Sequence, residues 1–306
     1  MDYTLSTEEL KQKFGDIYLE IISQKENIRT TCIRKSSDNV AVVYNNVIFY
    51  DEGVAVFGQE FHNQILSGKM LGQTIKNSGI SHERLVSERF SIKINLGLSF
   101  LFDTKKNFCV SRKVDYKIKD LPYASITEFY NPEFTLVESG ASESSEDLFT
   151  NTEGWFLIDQ LKTGFEEEYL RLAHGFLKKP MHVGIEDQNT FVQKTRQTLE
   201  LLMQDQSTKL FVAANDKQFI GYMAINIHPA LHVNGLECVI RELYVREGYQ
   251  GRGRGTALIG YVERYAKKRG CKRMSLATKW DDEKQKTFYE SVGFSRRCDF
   301  AIKNLQ

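Results

Sequence analysis

Apolar positions along this chain switch between a period near four and a period of two, and the switches mark its elements. The clearest switch lies near residue 250. Leu258, Ile259, Val262, Tyr265 and Ala266 recur at i, i+1, i+4, i+7 and i+8, while Arg264, Lys267 and Lys268 fall off that stripe. This is the pattern of an amphipathic helix with one buried face. The run before it, residues 237–245 (ECVIRELYV), is rich in β-branched and aromatic residues and predicts a strand. Between the two stands Gln250-Gly-Arg-Gly-Arg-Gly255. The same reading upstream predicts a strand at 156–158, helices at 165–178 and 190–204, and a hairpin from 209–214 and 219–225. Downstream it predicts a strand at 272–278, then a helix carrying Tyr289, capped by Asp281 and ended by Gly293.

The front half reads differently. Ser6-x-x-Glu9 is a capping box. It opens a predicted helix with Leu10, Phe14, Ile17, Tyr18, Ile21 and Ile22 on one face. Strand-like runs follow at 30–33, 40–50, 90–102 and 108–116, with helical segments at 61–66 and 72–78. That mixture predicts an α+β domain with an antiparallel sheet. Residues 138–147 (ESGASESSED) have linker composition. The expected division is a first domain at 1–137, a linker at 138–153 and a second domain at 154–306.

The glycine turn carries the most specific chemistry. Glycines let successive backbone N–H groups converge, and a helix N-terminus adds partial positive charge, so the segment suits a pyrophosphate. A nucleotide-binding P-loop needs Gly-Lys-Ser/Thr, but Gly255 is followed by Thr256-Ala257. A dinucleotide-binding turn needs an acid ending the next strand, and that strand ends in Thr278-Lys279. Gln250-x-x-Gly253-x-Gly255 resembles instead the coenzyme A loop of the GNAT family of N-acetyltransferases, and Phe288-Tyr289-Glu-x-x-Gly293-Phe294 resembles that family's second signature. The resemblance covers 154–306. It implies a mixed sheet flanked by helices and acyl transfer from acetyl-CoA, or another acyl-CoA, to the amine of a small molecule or peptide by direct attack in a ternary complex. It implies that the backbone at Leu243, Tyr244 and Val245 aligns the cofactor arm, and that Gln250, Gly251, Arg252, Gly253, Arg254, Gly255 and Thr256 hold its phosphates. It also implies that Tyr289 protonates the leaving thiolate.

The general base is not fixed by the resemblance. A glutamate of the family prototype corresponds to Val239 here. Strand alternation puts Glu237 on the same face as Val239 and Glu242 on the opposite one. Both are candidates, and either also suits an ion pair with Arg241 or Arg246. A second departure is Asp282 and Gln285 where the family often has Asn and Ala.

The front half resembles chorismate lyase and the related UTRA ligand-binding domains of transcription regulators. The likeness runs through Ile28-Arg29, Leu66-Ser-Gly-Lys-Met-Leu71-Gly72, Arg84 and Ile126-Thr-Glu128-Phe-Tyr-Asn-Pro132, with Met70 where proline usually sits. It implies a ligand site at Arg29 and Glu128 for an aromatic or carboxylate molecule. Two alternatives to a simple acyltransferase therefore stand: a bifunctional protein with a lyase-like front half, or a non-catalytic sensor of coenzyme A and a second ligand.

Composition narrows the rest. The 306 residues carry 41 Lys and Arg against 40 Asp and Glu, a net charge of +1. No global basic field invites nucleic acid. No run of apolar residues is long enough for a membrane span, and no leader pattern opens the chain, so a cytoplasmic location is expected. The five cysteines form no Cys-x-x-Cys pair, which argues against disulfides and zinc. Cys238 reads as a small buried side chain.

Overall fold

The computed structural model describes residues 7–25, 27–134, 156–177, 188–278 and 282–296. The chain divides into two compact units, with the change-over at Leu157/Ile158. The predicted linker and the capping residues Ser6 and Asp281 lie outside the described residues.

The first unit is built on a six-stranded antiparallel sheet in the order β1-β2-β3-β6-β5-β4. Its strands are β1 (Ile17–Lys25), β2 (Ile28–Lys35), β3 (Ala41–Phe49), β4 (His82–Lys93), β5 (Phe108–Ile118) and β6 (Leu121–Tyr130). Around it lie α1 (Thr7–Phe14), α2 (Asp51–Phe57), α3 (Gln59–Leu66), α4 (Leu71–Ser78) and α5 (Leu96–Phe102). One core joins α2, α3 and α4 to the sheet through Phe49, Phe57, Ile65, Ile75, Ile118 and Tyr123. His62 Nδ1 and the Tyr123 hydroxyl meet inside it at 3.0 Å. A second core holds α1 to the sheet through Leu10, Ile17, Ile33, Val42, Val43 and Tyr130.

Two predicted elements change here. The helix expected to run from Ser6 through Ile22 stops at Phe14. Gly15 adopts φ +73° and its N–H closes on Lys11 O, after which Ile17 starts β1. Ile17, Tyr18, Ile21 and Ile22 satisfy helical spacing, but a left-handed glycine ends the helix before them. The strand expected over 90–102 is strand only to Lys93. Asn95 then caps α5, its side chain accepting from Leu98 N at 2.9 Å. A short continuous apolar run does not distinguish a buried strand from a buried helix, and α5 is buried on nearly all sides.

The second unit has a five-stranded mixed sheet in the order β11-β10-β9-β8-β7. Its strands are β7 (Leu157–Gln160), β8 (Thr208–Ala214), β9 (Phe219–Ala230), β10 (Gly235–Val245) and β11 (Cys271–Leu276). β8, β9 and β10 are antiparallel, and β11 joins β10 in parallel. The helices are α6 (Glu166–Leu177), α7 (Gln188–Gln204), α8 (Arg254–Lys268) and α9 (Glu283–Ser291). Phe211 packs on Tyr261 and Tyr265 of α8, with ring centroids 5.6 and 5.0 Å away. Tyr222 packs on Tyr169 of α6 at 5.1 Å. Because Val212 rather than Phe211 lies opposite Tyr222, α6 and α8 cover opposite faces of the sheet. Among the described residues no helix is long and apolar enough to cross a membrane.

β10 and β11 pair from Leu236–Cys271 to Ile240–Leu276 and no further, while β10 continues along β9 to Val245. A buried latch ties the paired portion together. Glu237, 4% exposed, accepts from Arg273 Nε at 2.9 Å and Nη2 at 2.8 Å and from Ser275 Oγ at 2.7 Å. Burial alone raises a carboxyl pKa, but these donors outweigh it and hold Glu237 below its ordinary value of 4.5.

Two outcomes follow from this packing. An added Cβ on Gly53 of α2 would overlap the backbone of Pro122 and Tyr123. Gly53→Ala therefore destabilises the first unit by about 1–3 kcal/mol in urea unfolding, the usual range for an overpacked core. For Glu237 the folded carboxyl is depressed, so its stabilisation is present above the unfolded value and is lost as pH falls through the folded one. Acid melting curves should show Glu237→Gln with a lower Tm at neutral pH and a flatter decline below pH 4.5 than wild type.

Candidate active site

Where β10 outruns β11, the sheet opens into a wedge. A cavity of about 1020 Å³ occupies it, at the top of the size range of small-molecule sites. Leu243, Tyr244 and Val245 form one wall, Leu276 to Thr278 another, and α9 contributes Lys284, Gln285, Phe288 and Tyr289. Its end is formed by the glycine loop, with Gln250, Gly251, Gly253, Arg254, Gly255 and Thr256 on the lining.

The loop geometry follows from its glycines. Gly251 has φ +70° and Gly253 has φ +75°, a region that side chains rarely adopt. Gly253 is the N-cap of α8, so the first-turn N–H groups of Arg254, Gly255 and Thr256 stand at the helix end. A Cβ on Gly255 would come within 3.0 Å of the Phe288 ring, so this glycine permits the close approach of α8 and α9. Gln250 Nε2 donates to Val245 O at 2.7 Å and ties the loop to the strand. Arg254 donates to Arg252 O at 2.8 Å. Burial, with Arg252 adding repulsion, lowers the Arg254 guanidinium pKa from its ordinary value. A half-buried guanidinium at a helix N-terminus favours an anion in front of it. Arg252 is exposed on the loop and is not on the lining. These features fit a pyrophosphate carrier such as coenzyme A.

Tyr289 stands on the α9 wall, with Phe288 at 5.1 Å and Phe294 at 5.9 Å between ring centroids. Burial raises its phenol pKa and keeps the proton on the oxygen. α9 is capped by Asp282, which accepts from Lys284 N at 3.0 Å and Gln285 N at 3.2 Å. The substitution of Asp for the family's usual Asn thus provides a good N-cap. Gln285 Oε1 accepts from Thr278 Oγ1 at 2.7 Å, linking α9 to the wedge.

The two glutamates of β10 part company. Glu237 is committed to the latch and does not line the cavity. Glu242 does line it, and its Oε2 accepts from the Tyr222 hydroxyl at 2.8 Å. Simple alternation puts the two on opposite faces, but a register shift between Ile240 and Glu242 inserts one residue. Glu237 lies opposite His228 and Glu242 opposite Ala224, so both face the α6 side. Sequence reading missed Phe176 of α6. It lies on the cavity, with Tyr244 at 5.6 Å and Tyr222 at 6.2 Å. Its helix was legible, but the pairing of that helix with β10 was not.

In the first unit, Arg29 and Glu128 line a single cavity of about 290 Å³ on one sheet face. Arg29 is 2% exposed, and its Nη1 donates to Ile65 O. Glu128 is engaged by Arg112 and by the Tyr130 hydroxyl, which donates at 2.8 Å. Arg112 and Asn45 also line this cavity, and neither was singled out from sequence.

Residues 177–294 match the family described as Acetyltransferase (GNAT) family. An uncharacterized N-acetyltransferase of Methanocaldococcus jannaschii is 30% identical over 97 residues, which is 31% of this chain and 43% of that protein. The chain thus spans less than half the length of this relative. Among solved structures, a ribosomal-protein-alanine N-acetyltransferase from Brucella melitensis biovar Abortus 2308 is 16% identical, covering 50% of this chain and all of that one, with a TM-score of 0.41. AAC(6')-Iy, solved in complex with the bisubstrate analog CoA-S-monomethyl-acetylneamine, is 20% identical with the same coverages and TM-score. The strand wedge and the glycine loop thus lie within the segment, residues 177–294, that matches the acetyltransferase (GNAT) family.

Proposed function

We propose that the second unit transfers an acyl group from acetyl-CoA to a primary amine, and that the wedge between β10 and β11 is where the transfer occurs. The observation that carries this reading is the meeting, on one cavity, of the helix-capping glycine loop, the parted strand edge and the protonated Tyr289 phenol. Members of this family use acetyl-CoA, which supplies an activated thioester when bound.

Each residue then has a task. The first-turn N–H groups of α8, with Arg254, hold the pyrophosphate. The edge of β10 at Leu243, Tyr244 and Val245 receives the extended pantetheine arm as an added strand would be received, and an N–H there polarises the carbonyl. Glu242, with the faces of Phe176 and Tyr244 nearby, draws a cationic amine toward the carbonyl. The amine must shed a proton before its lone pair can form the new C–N bond, and Glu242 accepts it directly or through water. As the C–S bond breaks, Tyr289 donates its proton to the sulfur and recovers one from solvent. Glu237 has a structural role in this account. The first unit is assigned binding rather than lyase chemistry, because its Glu128 carboxylate is held by Arg112 and Tyr130.

Calorimetry and a thiol-release assay test this assignment. Gly253→Asp places a carboxylate where the pyrophosphate binds and should weaken acetyl-CoA binding by about tenfold or more, with circular dichroism unchanged. Equal binding would remove the loop from the site. Tyr289→Phe should lower kcat about 10²-fold with the KM for acetyl-CoA unchanged. Glu242→Gln should lower kcat/KM for cationic amines while leaving acetyl-CoA affinity intact. If both variants keep wild-type turnover, the proton-transfer roles are wrong although the cofactor site stands.

A further inference from the structure

The bulge in β10 brings a positive and a negative side chain to one wall of the wedge. Consecutive strand residues ordinarily point to opposite faces. Here Ile240 lies opposite Ile225 and Glu242 opposite Ala224, with Arg241 inserted between them. A bulge of this kind re-aims a side chain. Arg241 Nε donates to Asn226 Oδ1 at 2.7 Å. Asn226, Ala224 and Tyr222 alternate along β9 and share its α6 face, on which Tyr222 packs against Tyr169. Glu242 accepts from the Tyr222 hydroxyl on that same face at 2.8 Å. Arg241 and Glu242 both line the wedge cavity.

These two charges do not cancel each other. Among the described residues, their side-chain bonds go to Asn226 and Tyr222, not to one another. Asn226 is itself held, its Nδ2 donating to Thr208 Oγ1 at 2.6 Å, which fixes the point where Arg241 is anchored. The anchor takes Nε and leaves the two terminal nitrogens of an exposed guanidinium, the paired donors that grip a carboxylate. The pyrophosphate is assigned to the first turn of α8, beyond the Leu243–Val245 edge, so Arg241 is not placed for it. A bare ammonium arriving at Glu242 meets repulsion from Arg241. A molecule that carries its own carboxylate beside the amine turns that repulsion into attraction. Phe176 and Tyr244 stand next to this pair on the lining, 5.6 Å apart between ring centroids.

We propose that the acceptor is a free amino acid with an apolar side chain, its ammonium group on Glu242, its carboxylate on the Arg241 guanidinium and its side chain against Phe176 and Tyr244. This assignment rests on the acyl-transfer reading and names the substrate class of that same site. Arg241 determines specificity and takes no part in the bond changes. The amine still sheds its proton to Glu242 before the C–N bond forms, and the sulfur still leaves with the Tyr289 proton.

The test uses the full chain and the thiol-release assay, with phenylalanine and leucine each beside its amide. Each amide keeps the amine and the side chain, lacks the carboxylate and stands also for a peptide N-terminus. A carboxylate next to an amine favours the protonated form, so a preference for the acid does not come from the amine's own reactivity. For at least one pair, kcat/KM should be about tenfold or more higher for the acid than for the amide. Arg241→Gln should bring that ratio to about one, and Arg241→Lys, which keeps the charge but loses the fork, should restore part of it. Should the Arg241 variants fail to fold by circular dichroism, Asn226→Ala removes the anchor and should lower the same ratio. Equal or faster turnover of both amides by wild type, or an unchanged ratio in folded Arg241→Gln, would overturn the assignment and leave acyl transfer standing. Absence of turnover of all four molecules by protein that binds acetyl-CoA would overturn it as well. Absence of acetyl-CoA binding by wild type in calorimetry would remove the acyl-transfer reading and this assignment together.

Discussion

The parting of β10 from β11 is the constraint on which the rest of the second unit depends. Two parallel strands that stay paired leave no space between them. Here the Glu237–Arg273–Ser275 latch holds the pairing at one end, and the ladder stops at Ile240–Leu276. Beyond that point β10 continues with an edge facing the cavity, and the loop that follows turns back to begin α8 at the same opening. The glycine loop, the parted strand edge and the cavity are thus one feature. A buried carboxylate away from the cavity keeps the wedge anchored at its paired end.

The bulge at Arg241 is the second determinant. By adding one residue it turns Glu242 toward the α6 side, where Tyr222, Tyr244 and Phe176 form an aromatic wall. Without it, Glu242 would project toward α8 and its hydroxyl partner would be out of reach. The same strand therefore carries a structural glutamate and a cavity glutamate on one face, differing in their partners. Glu237 meets a guanidinium and a serine hydroxyl, while Glu242 accepts from the Tyr222 hydroxyl and opens onto the cavity.

Much of this was legible in the sequence, for reasons that can be assigned to residues. The glycine loop was readable because left-handed backbone at residues 251 and 253 requires glycine and because the α8 stripe follows immediately. Tyr289 was readable through its motif. The face of Glu242 was not, since one inserted residue inverts strand parity and leaves no mark in composition. Gly15 ended a helix whose spacing continued past it, and the apolar run of α5 fitted strand and helix equally. In the first unit Arg29 and Glu128 were placed together by resemblance, and the structure brings both to one cavity. Their differing states, one open and one paired, depend on Arg112 from a neighbouring strand, which local sequence does not indicate.

The most direct measurement of the central claim is a map of backbone amide shifts in 15N-labelled protein as coenzyme A is added. If the wedge holds the cofactor, the largest changes fall on residues 243–245 and on the amides of 251–256, with amides of the first-unit sheet unmoved. If those segments stay still while coenzyme A binds, or if the changes gather in the first unit, the parted strands are not the cofactor site and the account fails.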